Sequence, residues 1–350
     1  MSINKKYISI LSIATAVLLS ACSSGDSEVQ TAPADDKPVG DKLQVVAYAP
    51  PFAGADPTDP TNPTGFYAYT PDKTTSMGIY MLLSEDWVNP KEKNLTYTNK
   101  WHAYFDITPD KNYTVYGYMP KTGYMGSTLT KSTADAATLT INNIKAITTE
   151  DICIITGVKD AREGLKEGQF SWSWPIPASE EENYKIHILM DHLYAAALFR
   201  MKIDAEYAQL RTIKLKTMTL STDKDSVDVT VTLTHNDTGA SPVSNVTYSA
   251  SGSSDAVVVF NSNEGVALDT TTPVDINACF APTLSGNLTM VTTYDVYDRK
   301  GNLIRKGCSA TNKLPNLDAV RAQQVQLNLT VNPTYLNVLS DYDLDNPTVK

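Results

Sequence analysis

The sequence predicts an all-β protein, and three observations carry that prediction. Almost every strong hydrophobic pattern has a period of two, at which alternate side chains of a strand face one core. The patterned runs are rich in Val, Ile, Thr and Tyr and are bounded by Gly, Pro, Asn and Asp. Helix signals are few and short. Many short strands separated by turns pack as β-sandwiches, two layers face to face.

At the front of the chain, Lys5 and Lys6 precede an apolar run from Ile8 to Leu19 that is too short to span a bilayer as a helix. The run stops at "LLSAC", the pattern of a bacterial lipoprotein signal over residues 1–21, with lipidation expected at Cys22. Two or three acyl chains, at about 0.8 kcal/mol per buried CH2, would anchor the mature protein to a membrane. Residues 22–42 are polar, acidic and poor in large apolar groups, so they are expected to form a flexible tether. "KLQVVAYAP" (42–50) is the first strand, with Leu43, Val45 and Ala47 on one face. "DPTDPTNPT" (56–64) has Pro at every third residue and predicts an extended loop. A strand follows at 111–120, and "TTEDICII" is expected to carry one helical turn before another.

The stretch "PIPASEEENYK" (175–185) exchanges prolines for an acidic run, and there the sequence predicts a boundary between a sandwich at 43–180 and one at 181–350. Beyond it, strands are expected at 196–205, 227–234, 256–260, 287–298 and 302–308. The last two are joined by the hairpin turn "YDRKGNL", in which Gly301 is free to take positive φ. "PNLDAVRAQQ" (315–324) has the pattern of two helical turns. Val325, Leu327, Leu329 and Val331 then alternate as a half-buried strand. After Pro333, however, Tyr335 and Leu339 point one way while Leu336 and Val338 point the other, so "YLNVL" needs cover on both faces.

The net charge of −10 argues against nucleic acid as a partner and favours solubility outside the cell. Besides Cys22 there are Cys153, Cys279 and Cys308. A Cys279–Cys308 disulfide and buried reduced thiols both suit these surroundings. No Cys/His spacing for a metal is present, and His187 and His192, five apart on a strand, point to opposite faces. Phe170, Trp172 and Trp174 share a strand face, which makes either a core or a sugar-stacking platform. Asp341, Asp343 and Asp345 begin like a calcium loop, but Asn346 stands where Gly is needed and the closing Glu is absent. No catalytic motif of a hydrolase, zinc protease or phosphate-binding loop occurs, so no enzyme and no cofactor are expected.

Four segments, "LTINNIKAITTEDICIITGVKD", "KIHILMDHLYAAALFRMKID", "APTLSGNLTMVTTYDVYDRKGNLI" and "VNPTYLNVLSDYDLDNP", together with the lipobox, resemble the fimbrillin family of Bacteroidetes, subunits of type V pili. The resemblance implies two tandem transthyretin-like β-sandwiches, export as a lipoprotein to the outer membrane, and assembly with other fimbrial subunits into adhesive filaments that meet a surface receptor. It also implies a mechanism. A protease removes the first strand with the lipidated leader, and a neighbour's C-terminal strand fills the groove, strand addition that repeats without closing. On this chain the donor would be Tyr335, Leu336, Val338 and Leu339, and the removable strand Leu43, Val45 and Ala47. The family's protease commonly cuts after arginine, yet no arginine precedes Arg162, so cleavage would use Lys37, Lys42 or another specificity. An uncleaved chain would instead be an anchor subunit. The alternative outside this family is a glycan-binding surface lipoprotein.

Overall fold

The computed structural model describes residues 41–53, 67–68, 76–83, 90–97, 101–105, 108, 110–133, 135–173, 184–236, 244–253, 256–282, 287–315 and 319–332. In its first half the strands are β1 (Asp41–Ala49), β2 (Tyr67–Ala68), β3 (Ser76–Leu83), β4 (Glu92–Tyr97), β5 (Trp101–Phe105) and β6 (Asn112–Met119). There follow β7 (Gly126–Thr133), β8 (Ala136–Lys145), β9 (Ile147–Thr148), β10 (Cys153–Lys159) and β11 (Ser171–Ser173). The second half holds β12 (Tyr184–His192), β13 (Ala195–Ile203), β14 (Arg211–Ser221), β15 (Ser226–Thr234) and β16 (Ser244–Ser251). It ends with β17 (Ala256–Ala267), β18 (Val274–Phe280), β19 (Asn287–Asp298), β20 (Leu303–Pro315) and β21 (Gln324–Val331). Among the described residues there is one short helix, α1 (Ala205–Ala208), capped by Asp204, whose carboxylate accepts from the Glu206 and Tyr207 amides at 3.0 and 2.9 Å. The chain is all-β, as the period of two predicts.

The first sheet closes on itself. Its pairings run β10–β12–β1–β5–β4–β3–β6, and Cys153 and Ile154 of β10 also pair with Met119 and Tyr118 of β6. Because side chains alternate, every second residue around this ring points inward. Leu43, Ile79, Trp101, Val115, Ile155 and Ile188 are all buried in the enclosed core. Gly117 lets β6 approach its neighbours: a Cβ there would lie 2.5 Å from the Gly78 carbonyl oxygen.

The outer face of the ring builds a second core. Tyr116 and Tyr118, which alternate with the inward residues of β6, join a cluster with Leu139 of β8 and Val229 of β15. Those strands belong to a sheet of order β16–β15–β8–β7. Polar contacts tie this sheet to the ring. The Tyr80 and Ser127 hydroxyls meet at 2.7 Å, Ser127 donates to Glu92 at 2.7 Å, and the Tyr116 hydroxyl bonds His235 Nε2. Sheets β21–β13–β18–β9 and β17–β14–β19–β20 each bury one face in the same cluster, a sandwich-like arrangement. Phe199 and Ile276 come from one and Leu215 and Met290 from the other.

Several expectations meet the structure here. Every strand named in the sequence from residue 42 to 308 is present. The β19–β20 hairpin turns on Gly301 at φ 85°, and Asp298 accepts from the Lys300 and Asn302 amides at 2.8 Å each. The two predicted helical segments are not helices. Residues 149–150 form bends, and residues 319–322 run as coil and turn, with Ala322 at φ 60°. In both places backbone groups are taken by neighbouring strands: the Leu193 amide donates to Ile152 and the Ala322 amide to Tyr194. The expected boundary at residues 180 and 181 does not separate the sheets. β12, beyond it, pairs with β1 and β10, while β7 and β8, before it, share a sheet with β15 and β16. All described residues belong to one compact unit.

Leu139 of β8 is fully buried in the second core. Leu139→Ala is expected to lower the unfolding free energy by about 2–5 kcal/mol in urea denaturation. Val258→Ala, on the exposed face of β17, is expected to change it by no more than about 0.5 kcal/mol.

Candidate functional site

β1 sits inside the ring wall, with a partner on each side. It runs parallel to β12, from Leu43 opposite Tyr184 to Tyr48 opposite Leu189, and antiparallel to β5, from Asp41 opposite Phe105 to Val45 opposite Trp101. Leu43, Val45 and Ala47 are at most 2% exposed and face the enclosed core. Taking β1 away would therefore uncover an apolar slot bordered by two rows of unpaired amides and carbonyls. Burying one Val or Leu side chain contributes about 1.5–3 kcal/mol, so the empty slot would bind a replacement strand with alternating apolar residues. Lys42 lies within β1, so a cut after Lys37 or Lys42 would free a leader but leave Leu43, Val45 and Ala47 in the wall.

Where β1 ends, the chain meets the start of the last described strand. The Ala53 amide donates to the Ala322 carbonyl and the Gln324 amide to the Ala53 carbonyl, both at 2.8 Å. From there β21 runs parallel to β13, from Ala196 opposite Gln324 to Ile203 opposite Val331. Leu327, Leu329 and Val331 pack, half-buried, on the second core. β12 and β13 are one stretch of chain bent at Leu193 and Tyr194. β1 and β21 thus lie end to end along it, both running with it. Arg321 pins the junction: Nε donates to the His192 carbonyl at 2.8 Å, and Nη2 donates to Asp191 and, at 3.0 Å, to Ser244.

His192 is the inward residue at this junction. Its Nε2 bonds the Pro50 carbonyl at 2.8 Å, and because that oxygen only accepts, Nε2 carries the hydrogen. Phe52 stacks on the imidazole with centroids 3.8 Å apart. On the other side, Nδ1 lies 2.7 Å from Asp151 Oδ2 and 3.7 Å from the Sγ of Cys153, the residue paired with His192 across the ladder. The Cys153 thiol donates to the same carboxylate oxygen at 3.1 Å. Burial pulls the imidazole pKa down, but the hydrogen bond and charge of Asp151, with the Pro50 carbonyl, outweigh it and leave the pKa raised. Burial and the adjacent carboxylate push the Cys153 thiol well up. His187, five residues earlier, faces the opposite way and stacks on Tyr48. The two histidines lie on opposite faces, as their spacing predicts; the neighbours of His192 were not legible, because they come from distant segments of the chain. The only local trace was Asp-x-Cys at the entrance of β10, a spacing that puts both side chains on one strand face.

The remaining predicted residues distribute as follows. Cys22, Lys37, Tyr335, Leu336, Val338, Leu339, Trp174, Asp341, Asp343 and Asp345 lie outside the described residues, and no side chain is described for Lys42 or Trp172. Phe170 is core, stacked on Tyr116 and His235 with centroids 5.1 and 5.2 Å apart. It also floors an open polar cleft of about 620 Å³ whose rim includes Asp135, Asp160, Ser171 and Ser173. Cys153, Cys279 and Cys308 are free thiols, so no Cys279–Cys308 bond is present.

No protein-family model matches the chain, and no curated protein matches at a significant level. The solved structures it resembles include fimbrial and cell adhesion proteins of Bacteroides. One from Bacteroides uniformis, provisionally described as a cell adhesion protein, is 13% identical with a TM-score of 0.36, over 83% of this chain and 93% of its own. A fimbrial protein from Bacteroides vulgatus is 14% identical with a TM-score of 0.32, over 74% of this chain and 89% of its own. A third, from Bacteroides thetaiotaomicron and provisionally described as polysaccharide binding, is 9% identical with a TM-score of 0.29, over 75% and 78%. With TM-scores this far below 0.5, these likenesses carry no further conclusion.

A raised imidazole pKa stabilises the fold below the unfolded value, near 6.5, and that stabilisation is lost as pH rises through the folded value. Asp151→Asn removes the charge responsible. In metal-free buffer, thermal melts should show the variant less stable by about 1.5–3 kcal/mol below pH 6 or so, with the gap narrowing as pH rises. A gap independent of pH would rule out a charged His192.

Proposed function

We propose that this chain is a structural and adhesive subunit of a cell-surface fimbria, exported as a lipoprotein through Cys22 and assembled by strand exchange. The observation that carries the reading is the position of β1: the first described strand, apolar on its inner face, paired on both sides in the wall of a closed core. Segments of the sequence that resemble fimbrillins supply the second support. Strand polarity is the third. β1 and β21 follow one stretch of chain in the same sense, so between neighbours stacked in one orientation a C-terminal segment continuing beyond Val331 would enter the slot in the direction of β1. Tyr335, Leu336, Val338 and Leu339 have the composition such a donor needs.

Emptying the slot requires a cut beyond Ala49, and the first basic residue after β1 is Lys73. A chain left uncut there retains both lipid and β1, and would serve as an anchor rather than a shaft subunit. The glycan-binding alternative would use the polar cleft beside Phe170, whose lining includes the carboxylates of Asp135 and Asp160 and the hydroxyls of Ser171 and Ser173.

A protease site introduced within residues 54–66 tests the mechanism on an already folded protein. After cleavage, filaments are expected by electron microscopy, and monomers when residues 333–350 are also deleted. Cleaved protein that stays monomeric, or that polymerises without residues 333–350, would overturn strand exchange; monomers that retain a polysaccharide, and lose it when Asp135 and Asp160 become Asn, would put the cleft in its place.

A further inference from the structure

Three electron-rich atoms converge where β10 begins beside the end of β12. Asp151 Oδ2, Cys153 Sγ and His192 Nδ1 stand 2.7, 3.1 and 3.7 Å apart. The Pro50 carbonyl holds a hydrogen on Nε2, so Nδ1 meets the carboxylate either as an N–H donor or, in the neutral ring, as a lone pair that needs a cation between the two acceptors. The second carboxylate oxygen, Asp151 Oδ1, is buried and has no hydrogen-bond partner among the described residues.

The geometry points to Asp151, Cys153 and His192 as a binding site for one divalent transition-metal ion, zinc by the chemistry of its donors. A carboxylate oxygen, a thiolate and an imidazole nitrogen are the mixed set that zinc takes, at about 2.0–2.3 Å from the ion. Ligand atoms around such an ion stand roughly 3–4 Å apart, so the three groups reach it with sub-ångström movements. The orphaned Oδ1, or a water, completes the coordination. Zinc-bound histidines characteristically donate their other N–H to a backbone carbonyl, and Nε2 already does so to Pro50. Binding expels the thiol proton of Cys153 to solvent, and the Nδ1 proton as well wherever the ring is charged. Cys153 and His192 are buried, while the Asp151 side chain keeps 13% of its surface exposed and offers the approach.

The ion would tie β10 and β12 to the segment leaving β1, because His192 also holds Pro50 and stacks on Phe52. The site stands whether or not the chain builds filaments.

Cobalt titration of the reduced, metal-stripped full chain tests the assignment. One cobalt per chain is expected, with intense visible bands of a tetrahedral ion, a thiolate-to-cobalt charge-transfer band, and displacement of both by zinc. Cys153→Ser should abolish the charge-transfer band, and Asp151→Asn should weaken affinity at least tenfold. Should Cys153→Ser fail to fold, zinc X-ray absorption of the unsubstituted protein decides, with one sulfur at about 2.3 Å among nitrogen and oxygen neighbours. No stoichiometric binding, a band that survives in Cys153→Ser, or a zinc shell without sulfur would overturn the site and leave a shared proton as the charge between His192 and Asp151.

Discussion

Parallel pairing along residues 184–203 organises both ends of the described chain. β12, the first half of that stretch, takes β1 as its parallel neighbour, and β13, the second half, takes β21. Parallel neighbours come from segments distant in sequence, since a parallel partner cannot be reached by a tight hairpin. The consequence is a fold in which the first and last described strands share one track and touch at Ala53 and Gln323. Arg321, Ala322 and His192 hold that meeting point. Ala322 adopts a left-handed conformation that costs a non-glycine residue about 1–2 kcal/mol, and hydrogen bonds at Tyr194 and Ala53 keep it there.

Closure of the first sheet depends on the same pairing. A ring has no edges, so each inward side chain is shielded by its neighbours and each backbone group has a partner. β1 links β12 to β5, and without it the ring opens at that point. Its outer face is occupied as well, because Tyr116 and Tyr118 anchor the sheet built on β8 and β15. The two cores are therefore stacked across a single wall, with Tyr113, Val115 and Met119 of β6 serving one and Tyr116 and Tyr118 the other. This double use explains the alternation of tyrosine with small or aliphatic residues in "VYGYM" (115–119).

At the end of β1 the chemistry differs from the surrounding core. His192 lies on the inward face, continuing Ile186, Ile188 and Met190, but is polar where they are apolar. A buried imidazole is tolerable only with both nitrogens satisfied, and Pro50 on one side and Asp151 on the other do this. Both bonds join separate strands, so the polar group specifies which segments meet. Hydrophobic burial alone would permit β1 to slide by two residues without changing the face it presents. A directional contact at Pro50 removes that freedom.

Much of this was legible from residue order. Alternation in "VDVTVTLT" and "NLTMVTTYDVYD" determines strands because a half-buried sheet selects apolar side chains at every second position, and Gly301 with Asp298 determines a hairpin because only local atoms are involved. Two short segments with helical character became coil and turn because distant strands claimed their backbone groups, which no local pattern records. The placement of β12 in the ring and of β7 and β8 beyond it, the end-to-end alignment of β1 and β21, and the meeting of Asp151 with His192 were decided by tertiary structure. Periodicity states which face of a strand is buried; it is silent on which strand lies alongside, since that choice rests on hydrogen bonds and packing between residues tens to hundreds of positions apart.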